Sequence, residues 1–186
     1  MKRIFEIFCS FLLISILFLP IILICLLIKI DSPGPIIYWS KRVGKNKVIF
    51  LMPKFRTMKI DTPDKATHLL ENPNQHITKI GKYLRKYSLD ELPQLYSLIF
   101  GNMSFVGPRP ALYNQYDLIE LRDKKQINSL KPGITGWAQI NGRDSISIKA
   151  KVELDYFYLK NKNILLDFKI LFLTLYKAIK NENVLH

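Results

Sequence analysis

From Ile7 to Ile28 the chain carries 22 consecutive residues without a charge, and Pro20 stands inside that run. A simple membrane span needs ~20 apolar residues, so length alone permits a crossing. The flanks oppose it. Lys2 and Arg3 precede the run, and Lys29, Lys41, Arg42, Lys45 and Lys47 follow it. Basic flanks are held on the cytoplasmic side of a membrane, and a straight span cannot keep both there. A cleaved leader would need a small-residue cleavage site, which Leu26-Leu27-Ile28-Lys29-Ile30-Asp31 does not supply. Pro20 offers a third course. A proline inside a helix removes one backbone hydrogen bond and clashes with the preceding turn, at about 3 kcal/mol. Each arm is then too short for a ~30 Å hydrocarbon core. A kinked span remains the alternative, and the basic flanks favour a re-entrant helix–break–helix anchor over residues 1–30, with backbone groups near Ile16 to Pro20 needing new partners.

Residues 31–186 then form one small domain facing the cytosol. Asp31-Ser32-Pro33-Gly34-Pro35 reads as a linker. Ile36 to Trp39 reads as a short strand or an interface segment, and Arg42 to Asn46 as a hairpin turn into Val48 to Leu51, which predicts a β-hairpin if the first segment is a strand. Residues 59–76, with Pro63 and Pro73, read as a surface loop with a helical turn. Ile77 to Lys86 predicts a short basic helix, Ser88 opens another and Gly101 ends it. Leu112 to Leu130 reads as a charged helix, Trp137 to Ile140 as a short strand, and Asn141-Gly142 as a tight turn. Ile146 to Lys160 and Ile164 to Lys180 predict amphipathic helices suited to a core or an interface. The class is mainly α with a short β-hairpin (α+β).

The formal charge of +13 calls for anionic partners: lipid, phosphorylated substrate or nucleic acid. No nucleic-acid fold motif and no run of exposed aromatic platforms accompanies the cations, so nucleic acid is not expected. Cys9 and Cys25 both lie in the apolar run and read as packed hydrophobes. His68, His76 and His186 are too scattered for a metal cluster.

Against this basic background Ser88-Leu89-Asp90-Glu91 is the informative exception. Ser88 and Glu91 have capping-box spacing, which would merely satisfy orphan amides. A helix start also stabilises carboxylates. The neighbours allow more. Arg85 precedes the acids, and Arg109 follows inside Gly107-Pro108-Arg109-Pro110, where the prolines restrict the backbone. Arginine grips phosphate oxygens bidentately. A carboxylate beside a bound phosphoryl group can attack phosphorus or hold a divalent cation. Lys54 and Arg56 form a second basic cluster. Residues 131–143 join glycines, Trp137 and Arg143, and Trp137 fits either a core position or a ligand-stacking one.

These residues resemble a known family. "KRIFEIF" at 2–8, Pro20, "RVGKN" at 42–46, "KFRTM" at 54–58, "SLDELPQL" at 88–95, "MSFVGPRP" at 103–110, "KPGITGWAQINGR" at 131–143 and "LLDFKI" at 165–170 are similar to the small monotopic bacterial sugar transferases. These phosphoglycosyl transferases begin lipid-linked glycan assembly, and the minimal members, such as the bacillosamine phosphate transferases, are nearest. Glu6, Leu19, Ser40 and Asn102 depart from the family pattern.

The resemblance implies a ping-pong transfer of sugar 1-phosphate from a UDP-sugar, one with an N-acetylated amino sugar, to undecaprenyl phosphate. Asp90 would be the nucleophile and an Mg²⁺ ligand, and Glu91 would assist it. Lys54, Arg56, Arg85, Arg109 and Arg143 would contact phosphate or nucleotide. Asp167 would be a supporting acid, and Asp155 a lesser candidate. The catalytic domain would sit on the cytoplasmic face of the bacterial inner membrane, with the anchor re-entrant rather than a kinked span. The rival reading is a non-catalytic, membrane-tethered basic module, indifferent to Asp90 and Glu91.

Overall fold

The computed structural model describes residues 2–62, 73–142 and 145–180. The apolar run forms two helices, α1 (Lys2–Ile16) and α2 (Phe18–Asp31), bent by 63° at Leu17. Pro20 lies in the first turn of α2, where backbone N–H groups lack intrahelical partners anyway. The break is narrow. Leu17 N still donates to Leu13 O at 2.9 Å, and Ile21 N to Leu17 O at 2.8 Å. Among the described residues no single helix is long and apolar enough to cross a membrane, although the bent pair passes that test together.

Each arm buries one face and exposes the other. In α2, Ile24 and Ile28 pack against Phe55 and Leu84. In α1, Glu6 and Ser10 are buried, and Ile14 packs on a cluster of Phe50, Met52, Leu95, Leu98 and Met103. Phe8, Phe11, Ile16, Phe18, Leu19 and Leu23 remain exposed. The start of α1 is tied down by polar groups. Lys2 Nζ lies 2.7 Å from Asp167 Oδ2. Arg3 donates to Leu98 O and, at 2.6 Å, to Ile99 O. Ser104 Oγ donates to Glu6 Oε1. The two far ends of the bent pair are therefore fastened to one body.

That body begins with the expected hairpin. Strands β1 (Ile37–Val43) and β2 (Ile49–Phe55) pair antiparallel, with Ile37 opposite Phe55 and Val43 opposite Ile49. A 3-10 turn at Lys45–Lys47 joins them, with Asn46 and Lys47 left-handed. Then come α3 (Pro73–His76) and α4 (Lys79–Lys86), the latter capped by Thr78 Oγ1, which accepts from Gly81 N at 2.9 Å. After a 3-10 turn at Leu89–Glu91 follow α5 (Gln94–Ile99), β3 (Ser104–Val106), α6 (Tyr116–Lys124), β4 (Gly133–Thr135), α7 (Trp137–Ile140), α8 (Ile148–Asn161) and α9 (Ile164–Ile179). Leu98 and Met103 have no exposed surface and sit where α1, α5 and β2 meet. Truncating such a leucine to alanine costs about 2–5 kcal/mol.

Three local expectations are corrected. Trp137 to Ile140 is a helical turn, not a strand, because Ile140 N bonds back to Gly136 O at 3.1 Å while the preceding residues 133–135 take the strand role. In that role β4 pairs parallel with β3, placing Ser104 opposite Gly133 and Val106 opposite Thr135. The stretch 112–130 is helical only over Tyr116–Lys124. Leu112 is held by a bridge to Arg42, and Gln126 turns left-handed before a 3-10 turn at Ile127–Ser129. Ser88 forms no side-chain cap, for it too is left-handed, with φ 54°. Within residues 59–76 only 59–62 and 73–76 are described, and the latter are helical.

Helix α9 packs one face into the core and leaves the other exposed. Ile170 is fully buried with Val106, Ile140 and Tyr158. The opposite stripe, Ile164, Leu165, Phe168, Phe172 and Leu175, is exposed.

Candidate active site

The left-handed Ser88 reverses the chain after α4, and the 3-10 turn that follows is held by Glu91 N donating to Ser88 O and Leu92 N to Leu89 O, each at 3.2 Å. Because no capping box forms, the Glu91 carboxylate points across to β2. Its Oε1 lies 2.8 Å from Lys54 Nζ and 3.2 Å from Arg109 Nη2. Asp90 sits beside it, 5% exposed, with Oδ2 3.5 Å from Lys54 Nζ. Among the described residues its buried Oδ1 accepts no hydrogen bond. A buried carboxylate oxygen without a donor is costly unless something occupies it.

The second layer holds Arg85. A Cβ on Gly81 would overlap Thr57 O, so only glycine lets α4 approach the segment after β2 this closely. At that approach Arg85 Nε donates to Thr57 Oγ1 at 2.9 Å, and its charge acts on Asp90. Burial pushes the Asp90 carboxyl above the usual carboxylate range. Lys54 opposes that rise, Glu91 adds to it, and Arg85 and Arg109 oppose it. Burial also pulls the Arg85 guanidinium down, with Asp90 restoring part. The outcome is a desolvated acid whose rise is opposed by three cations, the kind of perturbation that clusters at functional sites.

The sequence candidates divide by position. Asp90, Glu91, Lys54 and Arg109 meet directly, with Arg85 behind them. Arg56 is buried and faces away: Nη1 donates to Pro33 O at 2.7 Å, and Nη2 to Ser32 O and Ser32 Oγ, both at 2.8 Å. Those bonds latch the linker after α2 to the end of β2. Asp167 accepts from Tyr158 Oη at 2.6 Å and from Lys2 Nζ, joining the site's domain to α1. Burial and this carboxylate raise the Tyr158 phenol, so it stays a neutral donor. Trp137 has Phe157 stacked at 5.3 Å on its ring and Lys169 Nζ 5.8 Å from its centroid, which fits the packing role. Asp155 is paired with Arg122. Arg143 lies outside the described residues.

Arg122 and Thr57 were not singled out by sequence reasoning. Arg122 had a signal: it falls four residues after buried Leu118, on the same helix face, where an arginine must be paired. Thr57 had none.

A divalent cation fits the acid pair. No cluster of three or more His, Cys, Asp or Glu occurs among the described residues. Mg²⁺ needs less, because it is bound through one or two carboxylates plus substrate phosphates and water. Asp90 Oδ1 and the adjacent Glu91 carboxylate offer hard oxygen donors of that kind.

Comparison with known proteins agrees with the motif pattern. A family model described as bacterial sugar transferase matches residues 1–181. The uncharacterized sugar transferase EpsL of Bacillus subtilis is 39% identical over 186 residues, covering 99% of this chain and 90% of that protein. The UDP-glucose:undecaprenyl-phosphate glucose-1-phosphate transferase of Escherichia coli is 41% identical over 183 residues, 91% of this chain and 38% of its own length. The UDP-N-acetylgalactosamine-undecaprenyl-phosphate N-acetylgalactosaminephosphotransferase of Aeromonas hydrophila is 36% identical over 166 residues, covering 86% and 39%. The chain thus spans most of EpsL and under half the length of the two relatives with a named activity.

Proposed function

Because this chain belongs to the bacterial sugar transferase family, we propose that it transfers sugar 1-phosphate from a UDP-sugar to undecaprenyl phosphate and releases UMP. The observation that carries the reading is the buried Asp90, with one oxygen unpartnered, beside Glu91 and Lys54. A desolvated carboxylate with a vacant lone pair suits attack on phosphorus far better than a structural role.

In the first half-reaction an Asp90 carboxylate oxygen attacks the sugar-bearing phosphorus. A bond forms between that oxygen and phosphorus, the bond to the bridging oxygen breaks, and UMP departs with its electron pair. In the second half-reaction a phosphate oxygen of undecaprenyl phosphate attacks the same phosphorus, and the Asp90 carboxylate leaves. Both halves exchange one energy-rich phosphate bond for another, so positioning and charge neutralisation suffice. Lys54 favours the ionised form of Asp90 and lies 3.5 Å from its Oδ2. Arg85 and Arg109 receive the phosphate charge, Arg109 by exchanging part of its contact with Glu91. Bound Mg²⁺, held by Asp90 and Glu91, would neutralise phosphate charge during the displacement. Arg143 is taken as a further nucleotide contact on the strength of the family motif.

The anchor supplies access to the lipid acceptor. Lys2 and Arg3 at one end of the bent pair, and Ile24 and Ile28 near the other, contact the same domain. A segment fastened at both ends to one body re-enters the face it left, so α1 and α2 dip into the cytoplasmic leaflet of the inner membrane. The exposed stripe of α9 lies along that surface, and the basic surface attracts anionic headgroups.

The sugar is proposed to be an N-acetylated amino sugar, after the minimal members of the family. Incubating the membrane fraction with Mg²⁺, undecaprenyl phosphate and a panel of UDP-sugars, and measuring UMP, tests the proposal. UMP formation with one donor, plus a phosphosugar adduct on Asp90 by mass spectrometry when acceptor is withheld, supports it. Turnover without any adduct would overturn the two-step scheme, and no UMP from any donor would overturn the activity.

A further inference from the structure

The loop that presents Arg109 is held through its carbonyl groups. Pro108 and Pro110 have no N–H to donate, so the loop cannot fix itself through donors at those positions. Four successive carbonyls accept from outside instead. Pro108 O accepts from Gly133 N at 2.9 Å, and Ala111 O from Val43 N at 3.0 Å. Pro110 O accepts from Arg42 Nη1 at 3.1 Å. Arg109 O, on the residue that reaches Glu91, accepts from Arg122 Nη1 at 2.9 Å.

That last bond is built more heavily than a loop tie requires. Arg122 on α6 is 4% exposed and Asp155 on α8 is 1% exposed. Arg122 Nε and Nη2 both donate to Asp155 Oδ2, at 3.0 and 2.6 Å. A buried ion pair costs desolvation on both partners and is weak evidence for stability as such. Here it orients a rigid, planar guanidinium so that its remaining edge meets one backbone oxygen. The carbonyl it meets belongs to the arginine that touches the acid pair.

We infer that Arg122 and Asp155 form a positioning pair that sets where Arg109 presents its guanidinium to substrate phosphate. Neither side chain touches the reacting atoms. The inference rests on the proposed function for the role of Arg109, though the strut itself does not.

The variant to make is Arg122→Met with Asp155→Leu, which removes both charges together and leaves no unpaired ion in the core. Two readouts are taken on the full chain in membranes or detergent. The first is amide hydrogen exchange at Gly107 and Gly133, whose N–H groups bond to Thr135 O and Pro108 O across the loop. Exchange about tenfold faster is expected, the fold-change worth of one charge-assisted hydrogen bond. Unchanged exchange in a folded double variant overturns the strut. The second is a cycle with Arg109→Ala, read as UMP release. If the pair acts through Arg109, removing Arg109 costs much less in the double-variant background than in the native one. Equal costs in both backgrounds overturn the inference. Arg109→Ala without effect in the native background instead sinks the phosphate role given to Arg109. Should the double variant fail to fold, Arg122→Lys serves, because an ammonium cannot bridge Asp155 and Arg109 O with fork geometry. Faster exchange at Gly107 and Gly133 is again expected, and native exchange overturns the strut.

Discussion

Lys54 Nζ, at the end of the hairpin, lies 3.5 Å from Asp90 Oδ2 and is the strongest single influence opposing the burial that raises the Asp90 carboxyl. The buried acid is thus influenced by a residue from another element. Function, pH response and stability at this site are coupled through that pair.

Asp90→Asn removes the proposed nucleophile and keeps the shape. UMP release is expected to fall by about three orders of magnitude or more. The fold should not suffer. A carboxyl whose native pKa is raised binds its proton more tightly folded than unfolded, so the stability it contributes is full below its unfolded pKa and is lost as pH rises through the native value. The asparagine variant should therefore melt at or above the native temperature at pH 7. Full activity would overturn the assignment of Asp90 as nucleophile.

The pH profile follows from the same shift. In the proposed mechanism Asp90 attacks only when ionised, so kcat/KM for the UDP-sugar is expected above its pKa and is lost as pH falls through it. The acid limb should lie above the ordinary aspartate range of about 3.9. Lys54→Met removes the main opposing charge, and the limb should move to higher pH while the maximum falls. A limb that stays put in Lys54→Met would disconnect this lysine from the titrating group.

Arg109→Lys should not rescue Arg109→Ala. An ammonium keeps the charge but not the planar donor fork that reaches Glu91 and is proposed to grip phosphate. Both variants should raise KM for the UDP-sugar about tenfold to a hundredfold, the range for one or more charged hydrogen bonds. Rescue by lysine would mean that charge alone is needed.

Pro20→Ala gives residue 20 an N–H that can donate to the carbonyl of residue 16, so straightening α1 and α2 becomes more favourable. Protease digestion of a tag placed before Lys2 reads the outcome. In the native chain the tag should be cut only from the cytoplasmic side. In Pro20→Ala combined with Lys2→Ala and Arg3→Ala, which also releases the ties to Asp167 and α5, a fraction should become cleavable from the other side. Native tag accessible from the far side would refute the re-entrant anchor.

Much of the architecture was visible along the chain. The charge-free run broken by Pro20 predicted two helices and a bend. The turn residues at Arg42 to Asn46 predicted the hairpin, and helical periodicity placed α4, α8 and α9. These are local properties: proline chemistry, period and turn residues act within a few positions. The adjacent acids were likewise evident from charge contrast alone.

Tertiary structure decided what those residues face. Lys54 meets Glu91 across 37 positions, and Arg122 meets Asp155 across 33. Three-residue strands such as β3 and β4 carry no periodic signal, so their parallel pairing became visible only once packed. Arg56 and Arg109 look equivalent as cations in a motif. One spends its donors on the linker after α2 and the other reaches the acid pair. A side chain's partner depends on which distant backbone packs beside it, and that contact is set by the burial of the whole core rather than by neighbours in sequence.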